Sequence, residues 1–153
     1  MFILGDEGGS GTCYEAVASS LFERIESACS GQAEWPLKVR ASLRGILDLF
    51  ATDPQAARLL LVDVHQVGPG VRRQHEQTLA RLADLLRAGR DLPDAPPMPD
   101  VVEDGLIGSA SFVLARALRT GESLPALLPD LAALVLVPYL GREGAERIAG
   151  RDD

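Results

Sequence analysis

The stretch Leu131 to Leu140, LAALVLVPYL, runs ten residues without a charge, and LPALLP before it (Leu124 to Pro129) adds only apolar side chains and prolines. A surface helix of a small domain keeps a charged face, so a helix that is apolar all round must be covered on every side. The uncharged run is half the length of about 20 residues that a bilayer span needs. Pro125, Pro129, Asp130 and Pro138 interrupt any longer window, so no membrane span is expected. Protein must cover this helix.

The rest of the chain has helical period, without the alternation and hairpin signals of strands. Thr12 and Glu15 have capping-box spacing, and Tyr14, Val17, Leu21, Ile25 and Ala28 follow as one stripe up to Ser30-Gly31. A second helix opens at Trp35-Pro36, with Val39, Leu43, Ile46, Leu47 and Phe50 inward and Lys38, Arg40, Arg44 and Asp48 mostly outward. Asp53-Pro54 reads as a cap and first-turn proline for a third helix, AARLLLVDVHQV, which Gly68-Pro69-Gly70 breaks. The fourth helix carries Val71, Leu79, Leu82 and Leu86 and stops near Gly89. DLPDAPPMPD, from Asp91 to Asp100, is the best internal linker. Asp100 and Glu103 repeat the capping-box spacing for a fifth helix ending at Thr120-Gly121. The sixth spans Ser123 to Leu140, with a short tail helix after Gly141. The expected fold is all-α, an antiparallel bundle of six to seven helices: residues 1–12 a flexible Gly-rich leader, residues 13–150 one helical domain.

One domain suits a chain of 153 residues, 46% hydrophobic and 24% charged. Its net charge of −7 argues against this chain itself gripping nucleic acid or an anionic membrane, which needs a basic face. Cys13 and Cys29 lie sixteen residues apart in one expected helix, roughly 24 Å, beyond disulfide reach. Free thiols and the lack of a basic-then-apolar opening segment point to the cytoplasm.

Six or seven helices can cover one side of the sixth helix but hardly both. A second copy supplies the other side. The fifth helix fits this, because Gly105, Gly108, Ser109 and Ala115 leave room for a neighbouring backbone, while Val102, Leu106, Ala110, Val113 and Ala117 form an ordinary core stripe. Two such helices from each subunit make an isologous four-helix bundle. The expected dimer interface comprises Gly105, Gly108, Phe112, Leu127, Leu131, Leu134, Val135 and Pro138. The plainer alternative is a monomer whose tail shields the last helix.

Catalytic and cofactor chemistry finds little foothold, and neither an enzyme nor a cofactor is expected. GDEGGSGT (Gly5 to Thr12) lacks the lysine and the preceding strand of a phosphate loop and reads as a flexible linker. His75-Glu76-Gln77-Thr78-Leu79 opens like a zinc-protease helix, yet Leu79 stands where the second histidine belongs. Two histidines and two distant cysteines make a zinc site improbable, and no nucleophile sits beside a base at a recognisable spacing.

Two segments carry a resemblance. VRASLRGILDLFATDPQAARLLLVDVHQVGPGVRR (Val39 to Arg73) and DGLIGSASFVLARALRTGESLPALLPDLAALVLVPYLG (Asp104 to Gly141) resemble the effector-domain core of TetR-family transcriptional regulators. The likeness extends from about Tyr14 onward, in the right order. It implies a C-terminal effector-binding domain that takes small, mostly apolar molecules and dimerises through its last two long helices. Family members begin with a basic helix-turn-helix domain, whereas only MFILGDEGGSGT precedes the first helix here. The sequence therefore reads either as a fragment of a regulator or as one lacking its DNA reader, touching DNA only through an N-terminal domain outside this chain. The rival reading is a headless partner that pairs with complete regulators without sensing a ligand.

The resemblance implies a cavity where the stripes of the second to fifth helices converge. Its expected walls are Phe50, Leu61, His75, Thr78, Leu79, Leu82, Glu103 and Ile107. His75 lies inside the apolar stripe of its helix, and its simpler reading is a buried histidine bonded to a backbone carbonyl. Glu103 could face a cationic effector, but its place at a helix start explains it as a cap. His65, beside Arg58, belongs to the wetter side of its helix. Trp35, Phe50 and Phe112 are aromatic wall candidates or plain core.

Overall fold

A computed structural model describes residues 6–151, with side chains from Cys13 onward. Six α-helices make up the fold: α1 (Asp6–Ser30), α2 (Trp35–Thr52), α3 (Pro54–Leu61), α4 (Pro69–Arg87), α5 (Val102–Thr120) and α6 (Leu128–Ala149). No strand occurs among the described residues. The all-α expectation holds. The largest core gathers Tyr14, Leu21, Leu47, Phe50, Ala57, Val64, Val71, Leu114 and Leu131, and α2 lies at its centre, touching α1, α3 and α6.

The helix boundaries follow local chemistry. Asp53 closes α2 by donating its N–H to the Leu49 carbonyl (2.8 Å). It opens α3 by accepting from the Ala56 N–H at Oδ1 (3.1 Å), with Pro54 at the first helical position. Gly121 closes α5 at φ 75°, a left-handed value that costs glycine little. Gly141 (φ 73°) kinks α6 where the tail helix was expected to start.

Four boundaries differ from expectation. Helix α1 reaches back to Asp6, so Thr12 lies inside it rather than at its cap, and the helical domain begins before residue 13. Met1 to Gly5 lie outside the described residues. Once a helix is anchored by packed residues such as Tyr14 and Leu21, each added residue needs no new nucleus. Helix α3 ends at Leu61 instead of Val67, and a 3₁₀ turn over Asp63–His65 tucks Val64 into the core. Helix α5 starts at Val102, so Val101 rather than Asp100 takes the N-cap position and no side chain caps it, while the Glu103 carboxylate is engaged by Arg90. The proline-rich loop is no linker between units: Arg90 donates to the Met98 (2.9 Å) and Pro99 (2.7 Å) carbonyls and pins it.

Helix α6 resolves the opening question in part. Leu131, Ala132, Val135, Leu136 and Tyr139 are buried by the chain's own helices, while Leu134 and Val137 stay 37% and 42% exposed. The stretch Pro125–Ala149 is long and apolar enough, by length and composition alone, to cross a membrane. Its kink at Gly141 leaves an apolar helix too short to span a bilayer, and one face of that helix packs on α2.

Candidate functional site

A cavity of about 300 Å³, open to solvent on one side, lies between α1, α2, α4 and α5 and reaches Val135 of α6. Its floor is apolar, formed by Val39, Leu43, Ile46, Leu82, Leu86 and Ile107. Successive turns of α2 (Val39, Leu43, Ile46) and of α4 (Leu82, Leu86) turn their apolar side chains toward one gap, which Ile107 of α5 also faces. Trp35 forms one wall, its indole packed edge-on against the Tyr139 ring at 4.9 Å between centroids. Gly89 makes that position possible, since a Cβ there would lie 2.4 Å from the indole. The mouth lies between the start of α2 and the end of α4, where Lys38 is half-buried and Leu85 and Ala88 are exposed. Ser42, one turn after Lys38, lies 3.4 Å from the Cys29 thiol, and these three residues are the wall's polar points.

Of the eight side chains expected in the pocket, only Leu82 and Ile107 line this cavity. Phe50 is buried in the main core, with Leu61 packed against that core. Thr78 is buried, its hydroxyl donating to the Gln74 carbonyl (3.1 Å), and Leu79 is half-buried away from the cavity. The stripes of α2 and α3 close directly on α1, which fills the space assigned to the ligand. Of the aromatic wall candidates, Trp35 lines this cavity. Phe112 lies outside it and is 64% exposed.

His75 is half-buried, and its Nδ1 lies 2.9 Å from the Tyr14 hydroxyl. Burial lowers the imidazole's pKa, as does neighbouring His65, against the opposing charge of Glu76. Burial likewise raises that of Tyr14, opposed by a Thr78 hydrogen bond. We therefore assign a neutral imidazole accepting from the phenol. His65, though exposed, comes within 6.2 Å of His75 between ring centroids, a meeting that their separate segments concealed. Among the described residues no His, Cys, Asp or Glu cluster is arranged to hold a metal ion. His75→Leu should cost about 1–3 kcal/mol by removing the acceptor of the buried Tyr14 hydroxyl's proton, with ligand binding unchanged. Parallel denaturation and binding titrations check this.

Glu103 does not face a ligand; it is 0% exposed. Arg90 grips it bidentately, Nε to Oε2 at 3.0 Å and Nη2 to Oε1 at 2.7 Å, and Tyr139 donates to Oε2 at 2.6 Å. Arg87 Nε adds a contact at 3.7 Å. Burial alone would push the carboxyl's pKa up, but the Arg90 and Tyr139 hydrogen bonds hold it below the usual range. Burial and the same carboxylate push the Tyr139 phenol well up, so it stays a donor. This knot ties the end of α4, the proline-rich loop, α5 and α6 together. A buried, fully paired carboxylate beside a cavity it does not enter is a structural element.

Two wider grooves are polar. One of about 580 Å³ runs past Arg40, Arg44, Asp48 and Arg151, with Arg40 donating to the Arg151 carbonyl. Another of about 460 Å³ lies between Tyr14, Phe22 and Arg81, where the guanidinium stacks 3.8 Å over the Phe22 ring. Of these hollows among the described residues, the cavity under Trp35 has the predominantly apolar lining that small-molecule sites use.

The residues expected at a dimer interface divide. Leu131 and Val135 are 2% and 3% exposed within the single chain, so they serve its own core and leave the interface set. Leu127 and Pro138 are half-buried, whereas Gly105, Gly108, Phe112 and Leu134 are exposed. Nothing lies within 4 Å of a Cβ added at Gly105 or Gly108. Helix α5 thus carries an uncovered stripe of Gly105, Gly108, Ser109 and Phe112. Neighbouring α6 carries Leu134 and Val137. Set against known proteins, the chain stands without a match: no family model, no curated protein and no solved structure matches it.

Proposed function

We propose that this chain is the small-molecule-sensing and dimerisation domain of a TetR-like transcriptional regulator. One observation carries the sensing half: an apolar cavity of about 300 Å³, open on one side, lies between four helices of the domain. Such a volume sits at the lower end of ligand pockets, so the effector is small and mostly apolar. Two sequence segments, Val39 to Arg73 and Asp104 to Gly141, supply the likeness to the regulator family. A bound molecule would bridge α1, α2, α4 and α5 and favour one arrangement of α4 against α5 and α6. In a complete regulator that bias would alter the spacing of two DNA-binding heads, while this acidic chain makes no DNA contact of its own. The free cysteines suit the cytoplasm.

The uncovered stripe on α5 and α6 supports pairing with a second copy, Phe112 of one subunit facing the Gly105–Gly108 notch of the other. A headless subunit that only pairs with complete regulators would use the same stripe and ignore the cavity. Cavity filling separates the two readings. An apolar ligand at a hundredfold excess over its Kd should stabilise the protein by about 2.7 kcal/mol, raising Tm by roughly 5–10 °C. Ile107→Trp should fill the cavity and abolish that rise while leaving the dimer intact. A panel of small apolar compounds that leaves the wild-type Tm unmoved would remove the sensing function. Trp35 is the chain's single tryptophan and sits in the cavity wall, so its fluorescence reads occupancy directly.

A further inference from the structure

We infer that the cavity is built for a short linear amphiphile with an anionic head, its carboxylate held at the mouth by Lys38 and Ser42. This rests on the sensing function proposed above and specifies the chemical class of effector. Lys38 and Ser42 are spaced i, i+4 on α2, so they stand one above the other on the face that lines the cavity. Their neighbours on that wall, Trp35, Val39, Leu43 and Ile46, are apolar, which makes the pair the polar end of an otherwise apolar slot.

Lys38 is the only cation in that wall, and among the described residues it has neither an ion pair nor a side-chain hydrogen bond. It lines an apolar cavity and is only half-buried, as suits a side chain that lays its stem on apolar surface and keeps its ammonium in water. This exposure leaves it available to a partner. An unpaired cation at an apolar opening favours an anionic head locally, against the field of a chain whose net charge is −7.

Ser42 complements it. With the Cys29 thiol 3.4 Å away as a weak donor, the Ser42 hydroxyl can accept from sulfur and give its own proton to a carboxylate oxygen. A carboxylate between Lys38 and Ser42 thus receives two hydrogen bonds, one charge-assisted. The tail would pass Leu43 and Ile46 toward Leu82 and Ile107. At about 30 Å³ of liquid volume per water-sized group, the cavity of about 300 Å³ holds roughly ten non-hydrogen atoms. Octanoate has ten.

The test compares octanoate, octan-1-ol and octylamine on the whole chain by Trp35 fluorescence, with thermal shift as second readout. Octanoate should bind roughly ten- to a hundredfold more tightly than octanol, the range of one charge-assisted hydrogen bond, and octylamine most weakly. Lys38→Gln should bring octanoate to the level of octanol and leave octanol unchanged, and Lys38→Arg should keep the preference. Octanol binding as well as octanoate, or a preference that survives Lys38→Gln, would overturn the anionic head while leaving an apolar-ligand sensor standing. Failure of all three to bind, with wild type behaving like Ile107→Trp, would remove the head assignment and the sensing function together.

Discussion

Glu103→Ala should lower the unfolding free energy by about 3–5 kcal/mol, the cost of breaking a buried ion pair from one side. At this chain length that is a fall in Tm of roughly 6–20 °C. The carboxylate has no solvent exposure and takes hydrogen bonds from Arg90 and Tyr139. Its loss leaves the buried Tyr139 hydroxyl unpaired and frees the arginine that pins the Met98 and Pro99 carbonyls. Glu103→Gln should cost less, because an amide keeps part of the hydrogen bonding while losing the charge. The two variants also differ from wild type in acid. The folded-state pKa of Glu103 lies below that of the unfolded chain, so its contribution is complete above the unfolded value of about 4.3. It is lost as pH falls through the lower folded value. Wild type should therefore lose stability below about pH 4 more steeply than Glu103→Gln in parallel urea titrations. Equal acid slopes would mean that Arg90 holds the loop without stabilising the ionised carboxylate.

Leu131→Glu and Leu134→Glu, three residues apart on α6, should fail in opposite ways. Leu131 is 2% exposed inside the main core, and an unpaired carboxylate there costs at least several kcal/mol. The expected product is unfolded or insoluble protein. Leu134 is 37% exposed on the uncovered stripe, so glutamate there faces water in a single chain and should leave helicity and Tm of the monomer near wild type. In a dimer the same charge would be buried against the partner's stripe. Light scattering at micromolar concentration should then read a dimer for wild type and a monomer for Leu134→Glu. A wild-type monomer, or a dimer indifferent to Leu134→Glu, would assign the stripe to no second copy.

The amino-acid sequence by itself determined the helices and most of their ends, because those signals are local. Asp53-Pro54 starts α3 through a side chain reaching three residues ahead, and Gly121 and Gly141 mark turns through backbone freedom that needs no partner. The incomplete covering of α6 was also legible, since LAALVLVPYL has no residue suited to water on any face. Which half of that helix stays bare was not: Leu131 and Leu134 have the same side chain, and only packing against α2 and α5 makes one core and the other surface. The site was legible least. Periodicity tells which residues point inward, but not whether the inward faces meet or stand apart. Here α1 closes the space around Phe50, His75 and Leu79, and the gap opens one layer away, under Trp35 and Gly89. Lys38 and Glu103 mark the same limit. The lysine on a face read as outward lines the cavity, and the acid read as a helix cap is buried on Arg90, thirteen residues earlier in the chain. A charge takes its role from the partner that the tertiary fold brings to it, and no local pattern in the sequence carries that information.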